Sequence, residues 1–416
     1  MRLLHTSDWH LGRSLHRADL RQAQVAYLDH LVEMVRSEHI DAVLVAGDVY
    51  DRAIPPLDAV ALCEDALVRL RDAGARVIVT SGNHDSPRRL GFGSALADAA
   101  GVHLRTRAGA LARPVLLEDR HGPVAVYGVP FLEPDAVRAE LPADPDPGDG
   151  DEAAAPRGHR GVLNRAVRCI RADAAARGGV RPVVMAHAWV AGGEGSDSER
   201  DISVGGVGRV PASLFDGFSY VALGHLHGPQ TLSPHLRYSG SPLPYSFSEA
   251  AQVKGSWLVE LDAAGTARAE WIPAPAFRAL SVLRGPLDDL LTSAAYAGRE
   301  DDFVSVVLTD ASRPEGAMDK LRRRFPHVLV LAYEPEGVAA DPRSYRARVA
   351  GRDDLAVTAE FIQHVRNEPA TAGERALLAA AFEEVRRADA EAERAGEPGP
   401  PAGDNPGPSG DGQEEG

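Results

Sequence analysis

The chain has 416 residues, of which 44% are hydrophobic and 25% charged, and a formal net charge of −15. This composition is that of an ordinary globular protein and excludes the fibrous and mostly disordered classes, and the length predicts two or three domains of roughly 100–200 residues. A charge this negative argues at first against a nucleic-acid binder, because such proteins usually neutralise phosphates with Lys and Arg. The acidity is local, however: segments 133–152 and 388–416 each hold eight acidic residues against one arginine, and the rest of the chain is close to neutral.

The sequence has the features of a cytoplasmic protein without membrane association. The N-terminus runs directly into a strand-like segment, and no apolar run approaches the roughly 18 residues that a membrane helix needs. The two cysteines, Cys63 and Cys169, show no CxxC spacing, so neither a disulfide framework nor a thiolate metal site is indicated. We therefore expect the reducing cytoplasm as the compartment.

In residues 1–262, β-branched runs alternate with helix-like stretches, which predicts a layered α/β domain with a largely buried sheet. Several of these runs end at a polar cluster. In open α/β sheets the loops at the carboxyl ends of the strands form the crevice that binds ligands. The predicted strands in this region lie at 2–6, 42–46, 76–80, 124–129, 182–186 and 220–223.

The first domain is predicted to span residues 1–273. A stretch rich in Pro, Asp, Gly and Ala at 133–158 cannot bury enough apolar surface to order itself, which indicates a flexible acidic surface insertion. Two amphipathic strands within 254–272, joined by a turn at 262–266, complete this domain, and Ala274-Pro275 marks its end.

Residues 274–340 are predicted to form a small α+β capping domain with a strand, a basic helix at 315–324 and another strand. Residues 341–395 contain two helices, each with apolar residues on one face, and such a pair docks either on its own chain or on a partner. Residues 396–416 are predicted to be a disordered acidic tail. The apolar faces consist of Val357, Phe361 and Val365 on one helix and Leu378, Phe382 and Val385 on the other.

Carboxylate, amide and imidazole side chains follow the predicted strands and together suggest a metal site. This mixed donor set without Cys favours Mn, Fe or Zn. Seven donors are too many for one tetrahedral site, but they suit two ions bridged by one carboxylate, as in phosphoryl-transfer centres. Two pairs are spaced i, i+2 on extended chain, so the side chains of each pair point the same way. The donors are Asp8, His10, Asp48, Asn83, His187, His225 and His227.

Each of these donors has a simpler explanation when it is taken alone. A single histidine is more often an ordinary core or surface residue. Asp48 follows an apolar strand and is compatible with a helix N-cap, and Asn83 after Gly82 is compatible with a turn residue. Capping and turns do not explain five polar clusters at five strand ends, and the metal interpretation is therefore preferred.

The motifs that carry these donors resemble the ordered motifs of the calcineurin-like metallophosphoesterases. Within that superfamily, further segments resemble the SbcD family of bacterial nuclease subunits, which is related to the double-strand-break-repair nucleases of archaea and eukaryotes. The superfamily motifs are Asp8-Trp9-His10, Gly47-Asp48, Gly82-Asn83-His84-Asp85, His187 and Gly224-His225-Leu226-His227. The SbcD-like segments include Ser196-Asp197-Ser198-Glu199-Arg200, Arg237-Tyr238-Ser239-Gly240-Ser241-Pro242 and Phe247-Ser248-Glu249.

The resemblance implies a di-manganese site. One ion would be held by Asp8, His10 and His227, the other by Asn83, His187 and His225, and Asp48 would bridge them. His84 would act near the attacking or leaving oxygen, with Asp85 orienting its imidazole; the alternative is that His84 is a turn residue. The fold implied is a layered metallophosphoesterase β-sandwich flanked by helices, with the small capping domain and the C-terminal helices added.

Four arginines in the loops around these motifs are candidates for contacts with DNA phosphates, although exposed arginines are as often simply solvated. Arg52 stands where some relatives carry a histidine implicated in DNA handling, so that function is in doubt here. The candidates are Arg13, Arg52, Arg88 and Arg89.

The resulting hypothesis is a Mn-dependent DNA nuclease subunit that hydrolyses double-stranded DNA ends and hairpins by two-metal activation of water, with residues 274–340 as the DNA-recognition cap. The resemblance implies an SbcC-like ATPase as partner, bound through the C-terminal helices, and a homodimer within a heterotetramer. Residues 18–37 would offer a dimer surface, but the apolar face of this predicted helix can equally pack on the sheet. Two alternatives are a general phosphomonoesterase or cyclic-nucleotide phosphodiesterase, and a non-catalytic scaffold subunit.

Overall fold

The computed structural model of the chain describes residues 1–145, 158–199, 208–336, 351–366 and 368–395. The predicted acidic tail at 396–416 and residues 146–157 of the predicted acidic insertion lie outside these residues. The chain divides into two compact units, and the first of them extends beyond the domain end predicted at residue 273. Unit 1 comprises Met1–Val282, Gly298–Ser305 and His327–Val330, and unit 2 comprises Leu283–Ala297, Val306–Pro326 and Leu331–Gly416.

The strands and helices of the described residues follow the alternation that the sequence predicts. The strands are β1 (Arg2–Thr6), β2 (Ser14–Leu15), β3 (Ala18–Asp19), β4 (Ala42–Ala46), β5 (Arg76–Thr80), β6 (Val102–Arg105), β7 (Val115–Asp119), β8 (Gly122–Val129), β9 (Arg181–His187), β10 (Tyr220–Gly224), β11 (Gln230–Ser233), β12 (Leu236–Tyr238), β13 (Gly255–Leu261), β14 (Ala267–Pro273), β15 (Leu280–Gly285), β16 (Phe303–Leu308) and β17 (Val328–Tyr333). The helices are α1 (Arg21–Ser37), α2 (Leu57–Asp72), α3 (Pro87–Leu90), α4 (Ser94–Ala100), α5 (Pro134–Val137), α6 (Gly158–Arg177), α7 (Leu287–Thr292), α8 (Ala317–Arg324), α9 (Asp354–Arg366) and α10 (Ala372–Ala395).

Unit 1 is built on two six-stranded sheets. The first has the strand order β14-β13-β1-β4-β5-β6 and the second the order β11-β12-β10-β9-β8-β7. In the first sheet β1, β4, β5 and β6 are parallel, and in the second β12, β10, β9 and β8 are parallel. Parallel neighbours place their carboxyl ends at the same edge of a sheet, so each sheet has one edge at which several loops meet.

Three apolar clusters hold these layers together. Leu44, Ile78, Val126, Met185 and Tyr220 belong to the cluster shared by the two sheets. A second cluster joins the outer face of the first sheet to α1 and α2, and a third joins the outer face of the second sheet to α6. Burying each such side chain contributes about 1.5–3 kcal/mol. The layered α/β sandwich flanked by helices is therefore confirmed.

Helix α1 packs on the first sheet through the whole of its apolar stripe. Tyr27, Leu28, Leu31 and Val35 are all at most 2% exposed and recur at the spacing of one helix face. The apolar face of this helix therefore packs on the first sheet and does not form an exposed dimer surface.

The described part of the predicted insertion, residues 133–145, is packed against the chain. It contains α5, and Leu141 is buried in the same cluster as α6. The Arg165 Nε donates to the Pro142 carbonyl at 2.8 Å, and the Arg168 Nε donates to Asp144 Oδ1 at 3.0 Å. The buried Leu141 and these two hydrogen bonds hold the described residues of the segment against α6, and its flexibility stays a prediction.

Residues 280–333 contain a three-stranded sheet in the order β15-β16-β17. In unit 2, α8 buries Leu321, and the Arg324 guanidinium donates to the carbonyls of Leu290 and Ser293, each at 2.9 Å. The side chains of Lys320, Arg322 and Arg323 are exposed. The strand, basic helix and strand that the sequence predicts are present.

The C-terminal helices α9 and α10 leave apolar side chains at the surface of unit 2. Helix α10 begins with a capping box, in which Thr371 Oγ1 accepts from the Glu374 N–H and Glu374 Oε2 accepts from the Thr371 N–H. Phe361, Leu377 and Val385 are each more than half exposed. None of the described helices is long and apolar enough to cross a membrane.

Candidate metal centre

The predicted donors meet where parallel strands of both sheets of unit 1 end. Asp8 and His10 follow β1, and Asp48 follows β4. Their loops are joined by backbone hydrogen bonds from the Asp8 N–H to the Gly47 carbonyl and from the His10 N–H to the Asp48 carbonyl, both 3.0 Å. His187 ends β9, and His225 comes directly after β10.

Four of the donor residues hold a left-handed backbone conformation. The φ angles are 52° at Asp8, 45° at His10, 49° at Asp48 and 104° at His225. Such conformations cost about 1–3 kcal/mol each for residues with a Cβ, and they persist where the surrounding structure fixes them, often at functional sites. Because these four strained residues are all predicted donors, the strain supports a functional role for the loops that carry them.

Two glycines allow the donors to approach the backbone closely. A Cβ atom on Gly47 would lie 2.3 Å from His187 Nδ1, and one on Gly82 would lie 2.1 Å from Asp48 Oδ1. Real Cβ atoms do not approach other atoms this closely, so any larger residue would displace the side chains of His187 or Asp48. Glycine is required at both positions by the geometry of the donors.

Asp8, His10 and His227 form the first group of donors. Their ligand atoms all lie within 4.8 Å of one another, and the Nε2 atoms of His10 and His227 are 3.1 Å apart. All three residues are at most 1% exposed.

Asn83, His187 and His225 form the second group. Asn83 Oδ1 lies 3.0 Å from His187 Nε2 and 3.2 Å from His225 Nδ1. Asp48 stands between the two groups, since its Oδ2 is 3.4 Å from His187 Nε2 and 3.7 Å from His10 Nε2. The structure therefore brings all seven predicted donors together.

Burial and mutual charge perturb the titration of these groups strongly. Burial raises the pKa of Asp8 to about 6, against the effect of His187 and His227. Burial also acts to raise the pKa of Asp48, but the charge and hydrogen bond of His187 outweigh it and hold that pKa well below its usual range. The same pairing raises the pKa of His187 to about 9 although burial opposes it, whereas burial lowers the pKa of His10 and His225 far below the usual value. His10 and His225 are therefore neutral and retain a lone pair for a ligand.

The donor set fits divalent cations. Two carboxylates, an amide oxygen and four imidazoles converge in a buried space, and His225 Nε2 is buried without a hydrogen-bond partner among the described residues. Lone pairs that face each other at about 3 Å repel unless a proton or a cation lies between them. The buried cysteines Cys63 and Cys169 are free thiols and do not belong to either group of donors.

His84 lies beside the first group and presents one ring nitrogen to it. Its ring is 4.6 Å from the His10 ring, edge to face, and its Nε2 is 4.0 Å from Asp48 Oδ2. Its Nδ1 lies 2.7 Å from the carbonyl oxygen of Asp51. Since a carbonyl only accepts, Nδ1 carries the hydrogen and Nε2 is the atom available to a reacting group.

The carboxylate of Asp85 binds backbone N–H groups, whereas the sequence suggested that it orients the His84 imidazole. Its carboxylate accepts hydrogen bonds from the backbone N–H groups of Val49, Tyr50 and Gly82, at 3.1, 2.9 and 2.9 Å. It thereby ties the loop after β4 to the loop after β5. The orientation of the His84 imidazole comes from the Asp51 carbonyl, a backbone group with no sequence signature.

The four candidate arginines differ in their surroundings. Arg13 is turned inward: its side chain is 16% exposed, donates to the Ser198 carbonyl at 2.9 Å and stacks on the Tyr245 ring at 4.9 Å. Arg52 is 66% exposed and lies 3.8 Å from Asp51 Oδ2. Arg88 and Arg89 are also exposed. Arg13 is thus mainly a structural residue, and the other three remain open to a ligand.

Comparison with known proteins identifies two regions. Residues 1–129 match the calcineurin-like phosphoesterase family, and the layered α/β architecture of unit 1 is consistent with that match. Residues 276–366 match the SbcD C-terminal family, described as "Type 5 capsule protein repressor C-terminal domain".

Solved structures with low sequence identity also match. TT1561 of Thermus thermophilus is 14% identical, with a TM-score of 0.36, and the match covers 65% of this chain and 98% of that one. GAP50, described as the anchor in the inner membrane complex of Plasmodium, is 9% identical, with a TM-score of 0.37, and the match covers 82% of this chain and 99% of that one.

Proposed function

We propose that the chain is a Mn-dependent DNA nuclease subunit of the SbcD type, which acts in the cytoplasm on double-stranded DNA ends and hairpins. It would work as an exonuclease and single-strand endonuclease in DNA repair, replication and recombination. The proposal rests on seven metal donors and His84, which lie together where strands of both sheets end. Residues 276–366 of the same chain match the SbcD C-terminal family.

The chemistry divides between the cations and the chain. Asp8, His10 and His227 would hold one divalent cation, Asn83, His187 and His225 the other, with Asp48 shared, and the bound pair supplies water activation and charge neutralisation at a phosphodiester. His84 keeps one hydrogen on Nδ1, so it would take up a second proton at Nε2 and, as an imidazolium, deliver that proton to the departing 3′ oxygen. The Asp51 carbonyl fixes the His84 ring so that Nε2 faces the centre.

Exposed arginines near the centre support a polyanionic substrate. Arg52 lies in the loop after β4, and Arg88 and Arg89 lie in α3, which follows β5. Phosphate contacts of this kind position a nucleic acid without reading its sequence. Two bound cations would add about four positive charges that the net charge of −15 does not include. The negative total is therefore no argument against DNA.

An assay with three substrates separates this function from its competitors. The purified chain, with and without an SbcC-type ATPase, is incubated in Mn²⁺ with end-labelled duplex DNA, with hairpin DNA and with a chromogenic phosphodiester. Cleavage of the DNA substrates is the expected result. Turnover of the chromogenic ester alone would indicate a general phosphoesterase, and inactivity on all three substrates would indicate a scaffold subunit.

We propose that the C-terminal helices bind the coiled-coil base of an SbcC-like ATPase. The sequence contains no GxxxxGK[ST] motif, so a partner must supply ATP hydrolysis if the complex uses it. The exposed Phe361 and Val385 offer the apolar anchors that a helix-in-groove or coiled-coil contact needs.

Removal of residues 350–395 is expected to abolish binding of that partner while unit 1 keeps its fold and its metal affinity. Binding is measured by pull-down with the purified ATPase. Phe361→Asp should reproduce the loss, and Gln363→Ala, an exposed polar position on the same helix, should leave binding unchanged. Retention of the partner by the shortened chain would contradict the assignment.

A second copy of the chain is the other partner that we propose. The Arg89 guanidinium donates to the Ala53 carbonyl at 3.0 Å, and we propose that the two segments joined at this contact, 53–60 and 89–96, form one apolar patch. Light scattering of the chain alone, with a mass near twice 44.2 kDa, would agree with a dimer formed there. The exposed apolar side chains of this patch are Ile54, Leu57, Val60, Phe92 and Leu96.

A further inference from the structure

The outer side of His227 is occupied by residues that the proposed chemistry does not use. Ser198 belongs to the segment 196–200 and Glu249 to the segment 247–249, both noted in the sequence only as points of resemblance. Ser198 is 8% exposed and Glu249 is fully buried. The fold brings them together directly behind the ring of His227.

A relay of hydrogen bonds connects the Glu249 carboxylate to the His227 ring. Ser198 Oγ lies 2.5 Å from His227 Nδ1 and also bonds to Glu249 Oε1. A carboxylate only accepts, so the Ser198 hydroxyl must donate to Glu249 and accept from His227. His227 therefore carries its hydrogen on Nδ1, and the lone pair of Nε2 faces the donors of the first group.

Glu249 keeps its negative charge because cationic and polar donors surround it. Lys254 Nζ donates to Glu249 Oε2 at 2.5 Å, and the Ser196 hydroxyl donates to Glu249 Oε1 at 3.1 Å. The Tyr245 N–H donates to Oε2 at 3.3 Å. The relay therefore ends at an anion, which increases the electron density of the His227 ring.

The backbone of His227 is held by the same group of residues. Lys254 Nζ donates to the His227 carbonyl at 2.8 Å, and the His227 N–H donates to Glu199 Oε1 at 2.6 Å. Hydrogen bonds thus hold His227 at its backbone N–H, its backbone carbonyl and its ring.

The second group of donors has no equivalent relay among the described residues. His187 Nδ1 donates to the carbonyl of Ala46 at 2.9 Å, which is a neutral acceptor. A ligand oriented by an ionised group binds a cation more strongly than one oriented by a neutral group. The two groups of donors should therefore bind a divalent cation with different affinities.

We propose that Ser198 and Glu249 are positioning residues for His227, and that they make the site formed by Asp8, His10 and His227 the tighter of the two. The inference rests on the proposed metal centre and adds to it an order of affinity for the two ions. It also gives a role to two segments that the catalytic scheme leaves unused.

The test is a titration with Mn²⁺ followed by calorimetry and by electron paramagnetic resonance. The wild-type chain should bind two ions with different affinities. Ser198→Ala should weaken the tighter site about 10–100-fold, the range found for the partners of metal-binding histidines, and leave the weaker site within about twofold. Ser198→Thr retains the hydroxyl and should restore the tighter site.

Ser248→Ala is the matched control, because Ser248 is exposed next to Glu249 in the chain and its hydroxyl contacts the Asp197 N–H and Ser246 rather than Glu249 or His227. Its two affinities should equal those of the wild type. Glu249→Gln keeps the size of the side chain and removes its charge, so it should weaken the same site as Ser198→Ala. Thermal melting without metal verifies that each variant is folded.

Three results would overturn the inference. Unchanged affinities in Ser198→Ala would exclude the relay, and so would an equal loss at both sites or a loss in Ser248→Ala of the same size. Absence of any saturable Mn²⁺ binding by the wild-type chain would instead refute the metal centre on which the proposed function stands. The two failures are therefore distinguishable in one experiment.

Discussion

Replacement of His84 by alanine is expected to lower DNA cleavage by about 10²–10⁴-fold, the contribution typical of a positioned acid or base. The His84 side chain holds its Nδ1 against the Asp51 carbonyl and presents Nε2 to the donors, 4.0 Å from Asp48 Oδ2. Alanine removes this proton carrier without removing any of the seven donors. The loss should appear in the maximal rate at saturating DNA.

Metal binding provides the second measurement for this variant. His84 is adjacent to the donors but is not one of the seven, so both Mn²⁺ affinities should stay within about twofold of the wild-type values. His121→Ala, at an exposed histidine in the β7–β8 turn, is the matched control and should retain full activity. Wild-type cleavage by His84→Ala would remove this residue from the mechanism.

The sequence predicts the central strands and the donors because both depend on short-range patterns. Strand β4 is buried along its whole length, so both faces must be apolar and the run Ala42–Ala46 stands out. Asp48 follows that strand, and His225 follows β10 in the same manner. A donor at the end of a buried strand can therefore be recognised from the sequence without the tertiary fold.

The contacts that orient the donors could not be predicted in this way. Ser198 and Glu249 are separated by 51 positions and meet only because the second sheet and its loops fold together. His84 is oriented by the backbone carbonyl of Asp51. Because every residue has such a carbonyl, no residue type in the sequence points to this contact. Short strands such as β2 and β3, with two residues each, also leave too little pattern to detect.

Composition does not register contacts that depend on single residues. Residues 133–145 are rich in Pro and Asp, yet Leu141 is buried and the Arg168 guanidinium binds Asp144. An average over a window does not register one anchored leucine or one ion pair. The net charge of the whole chain is a similar average, and it does not reveal the local group of donors that could hold cations.

Replacement of Asp48 by asparagine is expected to remove both ions and all cleavage. Asp48 Oδ2 lies 3.4 Å from His187 Nε2 and 3.7 Å from His10 Nε2, so its carboxylate serves both groups of donors. The amide keeps the shape and can still accept from the His84 N–H, as Asp48 Oδ1 does at 2.8 Å, but it lacks the charge. Both Mn²⁺ affinities should fall by more than about 100-fold, since changes outside the ligand set alone cost about 10–100-fold.

The matched control is Asp51→Asn, which removes a carboxylate three residues away, 3.7 Å from His10 Nδ1, while leaving the backbone carbonyl that holds His84. It should keep both ions. Asp8→Asn should weaken mainly the first site, because Asp8 groups with His10 and His227. A titration in which Asp48→Asn loses only one ion would show that the two groups do not share this carboxylate, and a variant that still binds two ions and cleaves DNA would exclude Asp48 as a ligand.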